Sequence, residues 1–260
     1  MPAEPLPGRY DVNPQTEAFL DLFIATERVL RQMAGGREEG FGRLLHRVRE
    51  RSAVVRRWEQ ELRAFNELRN LLVHQPLPSP LADPTPETVE TLRFIYRQLT
   101  EPQPVLPRFA REVYTLDADQ TFGDAVEAMH RTGYSQFPVY RQRHFVGLLT
   151  DGILARWMVA HLDRDFSQLL PVPLARVLQQ TPRQATVAFV GRKATVPEVR
   201  EMFEQHIRHG QLRLDAVIIT EHGQPDEQPL GIVTPTDAVA LAAEEARALP
   251  ARTDDYRTRR

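Results

Sequence analysis

Between positions 14 and 74 apolar residues recur every three or four places, the spacing that lines one face of a helix. Phe19, Phe23, Thr26, Leu30 and Met33 mark the first such stretch, which Ala34-Gly35-Gly36 stops. A second, about Glu38 to Arg51, turns Phe41, Leu44, Leu45 and Val48 inward. A third, about Val54 to Val73, carries Val55, Trp58, Leu62, Phe65, Leu68 and Leu72. Of the 21 prolines, 8 then fall between Pro76 and Pro107, where they break helices and bracket one short helical segment, Pro86 to Thr100. Its stripe of Val89, Leu92, Ile95, Tyr96 and Leu99 completes a four-helix unit over residues 14–100.

Downstream of Pro107 the pattern changes to short apolar strands alternating with helices, and it occurs twice. The first copy predicts strand at Val113–Leu116, helix at Phe122–Arg131, strands at Phe137–Tyr140 and His144–Leu149, and helix from Asp151 to about His161. The second predicts strand at Thr186–Val190, helix at Val196–Arg208, strands at Asp215–Thr220 and Leu230–Val233, and helix from Pro235 to about Leu249. Thr121-Phe122-Gly123-Asp124-Ala125 aligns with Thr195-Val196-Pro197-Glu198-Val199, and Gly147-Leu148-Leu149-Thr150 with Gly231-Ile232-Val233-Thr234. The offset grows from 74 (Thr121 to Thr195) to 84 (Gly147 to Gly231), which a longer helix end near His209 and the loop Glu221–Pro229 absorb. An internal repeat on this scale means two copies of one supersecondary unit packed together. The expected fold class is α+β, an N-terminal four-helix bundle followed by two β-α-β-β-α repeats. Its boundaries are a helical domain at 14–100, a connection at 101–108, repeats at 109–175 and 176–249, and disordered ends at 1–13 and 250–260.

Composition narrows the chemistry. The 260 residues contain no cysteine, which excludes disulfides, a cysteine nucleophile and thiolate metal sites. Lys+Arg is 33 against Asp+Glu 35, a net charge of -2 that argues against a wholesale polyanion binder but permits a local basic patch. All the cations but Lys193 are arginine. No apolar run approaches the ~20 residues of a membrane span. The start, Met1 to Gly8, lacks the cationic and apolar regions of a signal peptide, so a cytoplasmic protein is expected. The eight histidines are scattered without metal-ligand spacing, and no phosphate-binding glycine loop or nucleophile elbow occurs.

The tandem unit, with Gly133-Tyr134-Ser135-Gln136-Phe137-Pro138-Val139, His144-Phe145-Val146-Gly147 and above all Gly231-Ile232-Val233-Thr234-Pro235-Thr236-Asp237, resembles the CBS domain pair (Bateman module) over about residues 108–245. The resemblance implies an adenosine-containing ligand in the cleft between the copies, with Thr234 on phosphate and Asp237 on the ribose hydroxyls. Val187 and Ala216-Val217 would flank the base. AMP, ADP, ATP, S-adenosylmethionine or a cyclic dinucleotide would serve as regulatory ligand, with no cofactor required. The residues suit that chemistry, because a helix N-terminus favours an anion and an aspartate one turn in accepts from a diol. They equally suit a helix start without ligand: Thr234 as N-cap, Pro235 next, Asp237 as the acidic partner. The first copy keeps Thr150, a further ligand-binding candidate, but has Ile153 where the aspartate would stand, so one adenosine site is expected rather than two, with either a ligand lacking ribose specificity or no ligand at Thr150. Arg208, His209 and Arg213 lie near the second copy's loop, where they either reach phosphate or are solvated surface.

The third helix ends Phe65-Asn66-Glu67-Leu68-Arg69-Asn70-Leu71-Leu72-Val73-His74, and with the bundle around it resembles the HEPN superfamily over about 14–100. That resemblance implies a metal-independent ribonuclease at a dimer interface. His74 would transfer protons, Arg69 stabilise the phosphate and Asn70 assist, as cleavage by 2′-OH attack requires. Five positions along a helix separate Arg69 and His74 by about 140°, so they converge only if the helix unwinds near Val73. A cationic stretch from Arg43 to Arg63 (with His46, Arg47, Arg49, Arg51, Arg56 and Arg57) is either an RNA-attracting face or a solvated one laced with ion pairs. The expected function is a homodimeric regulatory sensor, not itself an enzyme, in which nucleotide at the repeats controls the helical domain. A nucleotide-regulated ribonuclease and a non-binding oligomerisation scaffold are the alternatives.

Overall fold

The computed structural model describes residues 13–36, 38–74, 83–181, 184–208 and 213–250, leaving the expected disordered ends almost wholly outside the described residues. The chain forms two compact units, one of residues 1–103 with 243–260, the other of residues 104–242.

The first unit is the four-helix bundle: α1 (Pro14–Met33), α2 (Phe41–Arg49), α3 (Ala53–His74) and α4 (Pro86–Thr100). Its starts are written in the sequence. Asn13 caps α1 by accepting the Gln15 N–H at 3.0 Å, and Thr85 caps α4 through the Thr88 N–H at 3.3 Å, each followed by a proline that needs no hydrogen bond there. Extended backbone at Gly40 delays α2 to Phe41, three residues after the expected Glu38. The apolar stripes meet in one core in which Phe19, Leu30, Leu44, Leu62, Leu92 and Ile95 are fully buried, and Leu249 packs against it. Residues 243–249, expected in the second repeat, thus belong with the helices.

The second unit holds both β-α-β-β-α repeats. In the first, β1 (Leu116–Asp117) runs parallel to β2 (Gln136–Arg141), which pairs antiparallel with β3 (His144–Thr150). α5 (Phe122–Thr132) and α6 (Asp151–Val159) complete the repeat. In the second, β4 (Thr186–Gly191) runs parallel to β5 (Leu214–Thr220) and β5 antiparallel to β6 (Gly231–Val233), with helices that we number after two short ones between the repeats, α7 (Phe166–Leu169) and α8 (Leu174–Gln180). They are α9 (Val196–Arg208) and α10 (Pro235–Ala248). The sequence pattern did not show α7 and α8; Leu169, Leu174 and Val177 close the first repeat's core beneath Trp157. The first strand is shorter than Val113–Leu116 because only Leu116 and Asp117 find partners, Val139 and Tyr140. Segment 101–108, expected as a free connection, enters the second core. Val105 is fully buried there, and its N–H donates to the Ala194 carbonyl at 2.9 Å. A fourth cluster, Leu148, Ala216, Ile218 and Ile232, packs residues of both sheets together.

Candidate functional site

The strand registers fix which residues of the two repeats are equivalent. Val139 pairs with Leu116 on one side and Gly147 on the other, and Ile219 pairs with Val190 and Gly231 in the same way. Counting along the chain from these anchors matches Val113 with Val187, Gln136 with Ala216, and Thr150 with Thr234. Each threonine stands where the last strand of its repeat gives way to a helix.

At Thr234 the junction is a closed capping box. Its N–H and its hydroxyl both donate to Asp237 Oδ2 at 2.8 Å, and the Asp237 N–H donates back to Thr234 Oγ1 at 3.3 Å. Among the described residues Asp237 Oδ1 has no hydrogen bond, so one carboxylate oxygen remains as an acceptor. A third donor reaches the same carboxylate from the other repeat. Arg111 Nη2 lies 3.2 Å from Asp237 Oδ2 and also donates to the Ile232 carbonyl. At Thr150 the hydroxyl caps α6 through the Ile153 N–H at 3.1 Å. Ile153, 1% exposed, belongs to the first repeat's core and offers no acceptor.

A cavity of about 190 Å³ opens beside Thr234. From the second repeat come Ile232 and Thr234; the first contributes its entry segment Arg111–Tyr114 and the strand edge Gly133–Gln136 with Pro138. The wall is therefore composite. Val187, Ala216 and Val217, expected to flank the base, do not line it. Val217 is fully buried in the second core, while Ala216 and Val187 pack in the cluster between the sheets, beside residues equivalent to those around Thr150. The motif alone places Val187 and Ala216 beside Thr234, whereas the cavity there draws its wall from the first repeat, where their counterparts Val113 and Gln136 lie. Arg111 was missed for the same reason, although a cation two residues before an apolar strand run was the available signal. Arg213 lines a different groove, with Phe203 and Val239. His209 and the side chain of Arg208 lie outside the described residues.

In the helical unit α3 stays helical through His74, yet Arg69 Nη1 comes within 3.3 Å of His74 Nε2 and donates to Asn70 Oδ1 at 3.1 Å. The long guanidinium arm bridges what the helical angle separates, so no unwinding is needed. Because guanidinium only donates, this contact is a hydrogen bond when Nε2 carries no proton. Arg69, Asn70, Asn66 and Arg43 line an open cleft with Glu27 and Glu39; His74 does not.

Among the described residues, at least four cations of the expected face are paired with carboxylates. Arg47 meets Glu39 at 3.1 Å, Arg49 and Arg63 both meet Glu59 at 3.2 and 2.9 Å, and Arg57 meets Glu245 at 3.4 Å. Such pairing leaves less charge for a phosphate backbone. Among the described residues no group of three His, Asp or Glu side chains could hold a metal ion, and no helix is long and apolar enough to cross a membrane.

The CBS domain family matches residues 109–160. Solved structures of similar fold include a putative acetoin utilization protein (AcuB) from Vibrio cholerae, 19% identical, with 55% of this chain and 93% of that one covered at a TM-score of 0.40. The CBS domain of a CBS domain containing membrane protein from Sphaerobacter thermophilus is also 19% identical, with 58% and 95% covered and a TM-score of 0.42. CBSX2 in complex with AMP is 14% identical, with 56% and 95% covered and a TM-score of 0.36. No curated protein matches the chain. Residues 109–160 are a CBS domain, preceded by a helical bundle and followed by a second repeat of the same topology.

Proposed function

We propose that the paired repeats are a regulatory sensor for an adenosine-containing nucleotide, bound once per chain at the composite cavity beside Thr234. The observation that carries this reading is a cavity lined by an anion-favouring helix start (Thr234), a cation (Arg111) and an apolar wall (Val113, Pro138 and Ile232), with a carboxylate that has an unoccupied oxygen (Asp237) bonded to both Thr234 and Arg111. Phosphate, ribose and base each find a matching group. The CBS domain at 109–160 supports a regulatory role over an enzymatic one, and the ligand would act by favouring one packing of the two repeats over another. Ligand control of the helical unit, a homodimer and a cytoplasmic location belong to the same proposal. Calorimetric titration with AMP, ADP, ATP, S-adenosylmethionine and cyclic dinucleotides tests it. Binding of at least one, lost in Asp237→Ala, is expected; no binding of any, or unchanged binding by the variant, rejects it.

A second reading, a ribonuclease, is favoured by the Arg69–His74 contact at 3.3 Å with Asn70 alongside. The contact brings together an imidazole, able to take a ribose hydroxyl proton once Nε2 is released from the guanidinium, and a charge that stabilises the phosphorane. Incubation with single-stranded RNA, with and without nucleotide, checks it. Cleavage abolished by both Arg69→Ala and His74→Ala supports the site, and no cleavage under any condition leaves the binding module alone.

A further inference from the structure

Arg111 lines a cavity of about 190 Å³ while its guanidinium is held by Asp237, just outside the lining; that volume is smaller than the roughly 300–1,000 Å³ of typical ligand pockets. Arg111 comes from the segment that enters the first repeat, whereas both its acceptors, the Ile232 carbonyl and Asp237 Oδ2, sit at the β6–α10 junction of the second. It is exposed, at 44%, and its carboxylate partner is partly so, at 27%, so water screens the pair and a better anion can take the guanidinium away. Among the described residues that line the cavity, Arg111 is the only cation and its neighbour Glu112 the only carboxylate.

We propose that Arg111 is a phosphate-exchanged latch, and that it makes the cavity selective for a nucleoside monophosphate over both the bare nucleoside and the triphosphate. The proposal rests on the nucleotide reading above. In the ligand-free protein the guanidinium occupies Asp237 and narrows the cavity. A single phosphate draws it off by a charge-assisted, bidentate contact that a planar guanidinium is shaped to make. That exchange widens the cavity and returns the Asp237 carboxylate to the ribose hydroxyls. Bare nucleoside has no anion to offer and must compete with the latch unaided. A triphosphate brings more negative charge than one guanidinium can meet and sets it beside Glu112.

Calorimetry of the full-length chain with adenosine, AMP and ATP tests the latch. Wild type should bind AMP about 10-fold or more tightly than adenosine, the value of one charged hydrogen bond, and ATP more weakly than AMP. Arg111→Gln should bring AMP to within about two-fold of adenosine, while adenosine itself binds unchanged or up to about five-fold tighter because an exposed ion pair no longer competes. Arg111→Lys should recover part of the AMP preference, and Glu112→Gln should raise ATP affinity selectively. An AMP preference that survives in Arg111→Gln, or wild-type ATP binding as tight as AMP, overturns the latch while leaving the nucleotide site standing. Loss of adenosine binding in both Arg111→Gln and Arg111→Lys makes the residue structural and also overturns it. If wild type binds neither adenosine nor AMP the latch falls, and if it also binds none of ADP, ATP, S-adenosylmethionine and cyclic dinucleotides the nucleotide reading falls with it.

Discussion

Thr234 and Thr150 hold the same place in two copies of one unit, and their surroundings have diverged. Around Thr234 stand Asp237, Gln136 and Arg111; the equivalent positions around Thr150 are Ile153, Ala216 and Ala185, by the same counting along the strands. One junction keeps an amide and a cation at a cavity, with an acceptor bonded to the cation, while the other gives its equivalent positions to the core. The glycines that begin the two motifs differ as well. A β-carbon on Gly231 would collide with the Phe109 carbonyl, because the entry segment of the unit runs against β6. A β-carbon on Gly147 would meet only the Leu178 side chain at 3.4 Å. Two equivalent junctions of a repeated fold thus differ: one borders a cavity, while residues equivalent to its surroundings pack in cores at the other.

Changes that exchange the two junctions test this comparison. The largest effect is expected from Ile153→Asp, the residue that would make the first junction look like the second. Putting a carboxylate into the first repeat's core should destabilise the second unit by about 4 kcal/mol or more and create no nucleotide site; denaturant unfolding measures it. Next comes the glycine pair. Gly231→Ala should cost about 2–3 kcal/mol, since a backbone carbonyl cannot yield, whereas Gly147→Ala should cost under about 1 kcal/mol because a leucine can shift. Equal losses in thermal unfolding would show that the entry segment does not press on β6. Thr150→Ala removes a helix cap and should cost about 1 kcal/mol while nucleotide affinity stays at the wild-type value.

The smallest effect concerns the loop that lengthens the second repeat. There the N–H groups of His222 and Gln224, with the His222 imidazole, hold Glu227 down at about 2, below its usual 4.5. A carboxylate whose pKa falls on folding contributes stability that is complete above the unfolded value and is lost as pH drops through the folded one. The loop's contribution should therefore be intact above pH about 4.5 and fade toward pH 2. Glu227→Gln should flatten that part of the stability profile relative to wild type. Because the group is partly exposed, the change will be small, and a profile identical to wild type would show that the loop does not report on folding.

Most of the fold was legible in the chain. Helical spacing in Phe19, Phe23 and Leu30, the caps Asn13 and Thr85, and the paired Gly-hydrophobic-hydrophobic-Thr motifs are local signals, and the elements formed where those signals lie. What escaped was non-local. Helices α7 and α8 are too short for a periodic stripe to register, and Val105 reads as a proline-rich connection until β-structure far along the chain covers it. The same limit governed the site. Thr234 and Asp237 are three residues apart and form a motif, but the cavity beside Thr234 borrows Arg111, Val113 and Gln136 from more than ninety residues upstream. Spacing carries no trace of that crossing. In the helical unit the reverse happened, since angular spacing set Arg69 apart from His74 while side-chain length brought them to 3.3 Å.

Calorimetric titration of the whole chain with AMP is the most direct test of a single diverged site. The account predicts one nucleotide bound per chain, with binding lost in Asp237→Ala and retained in Thr150→Ala. Two equivalents per chain, or none with AMP or any other adenosine-containing ligand, would contradict it.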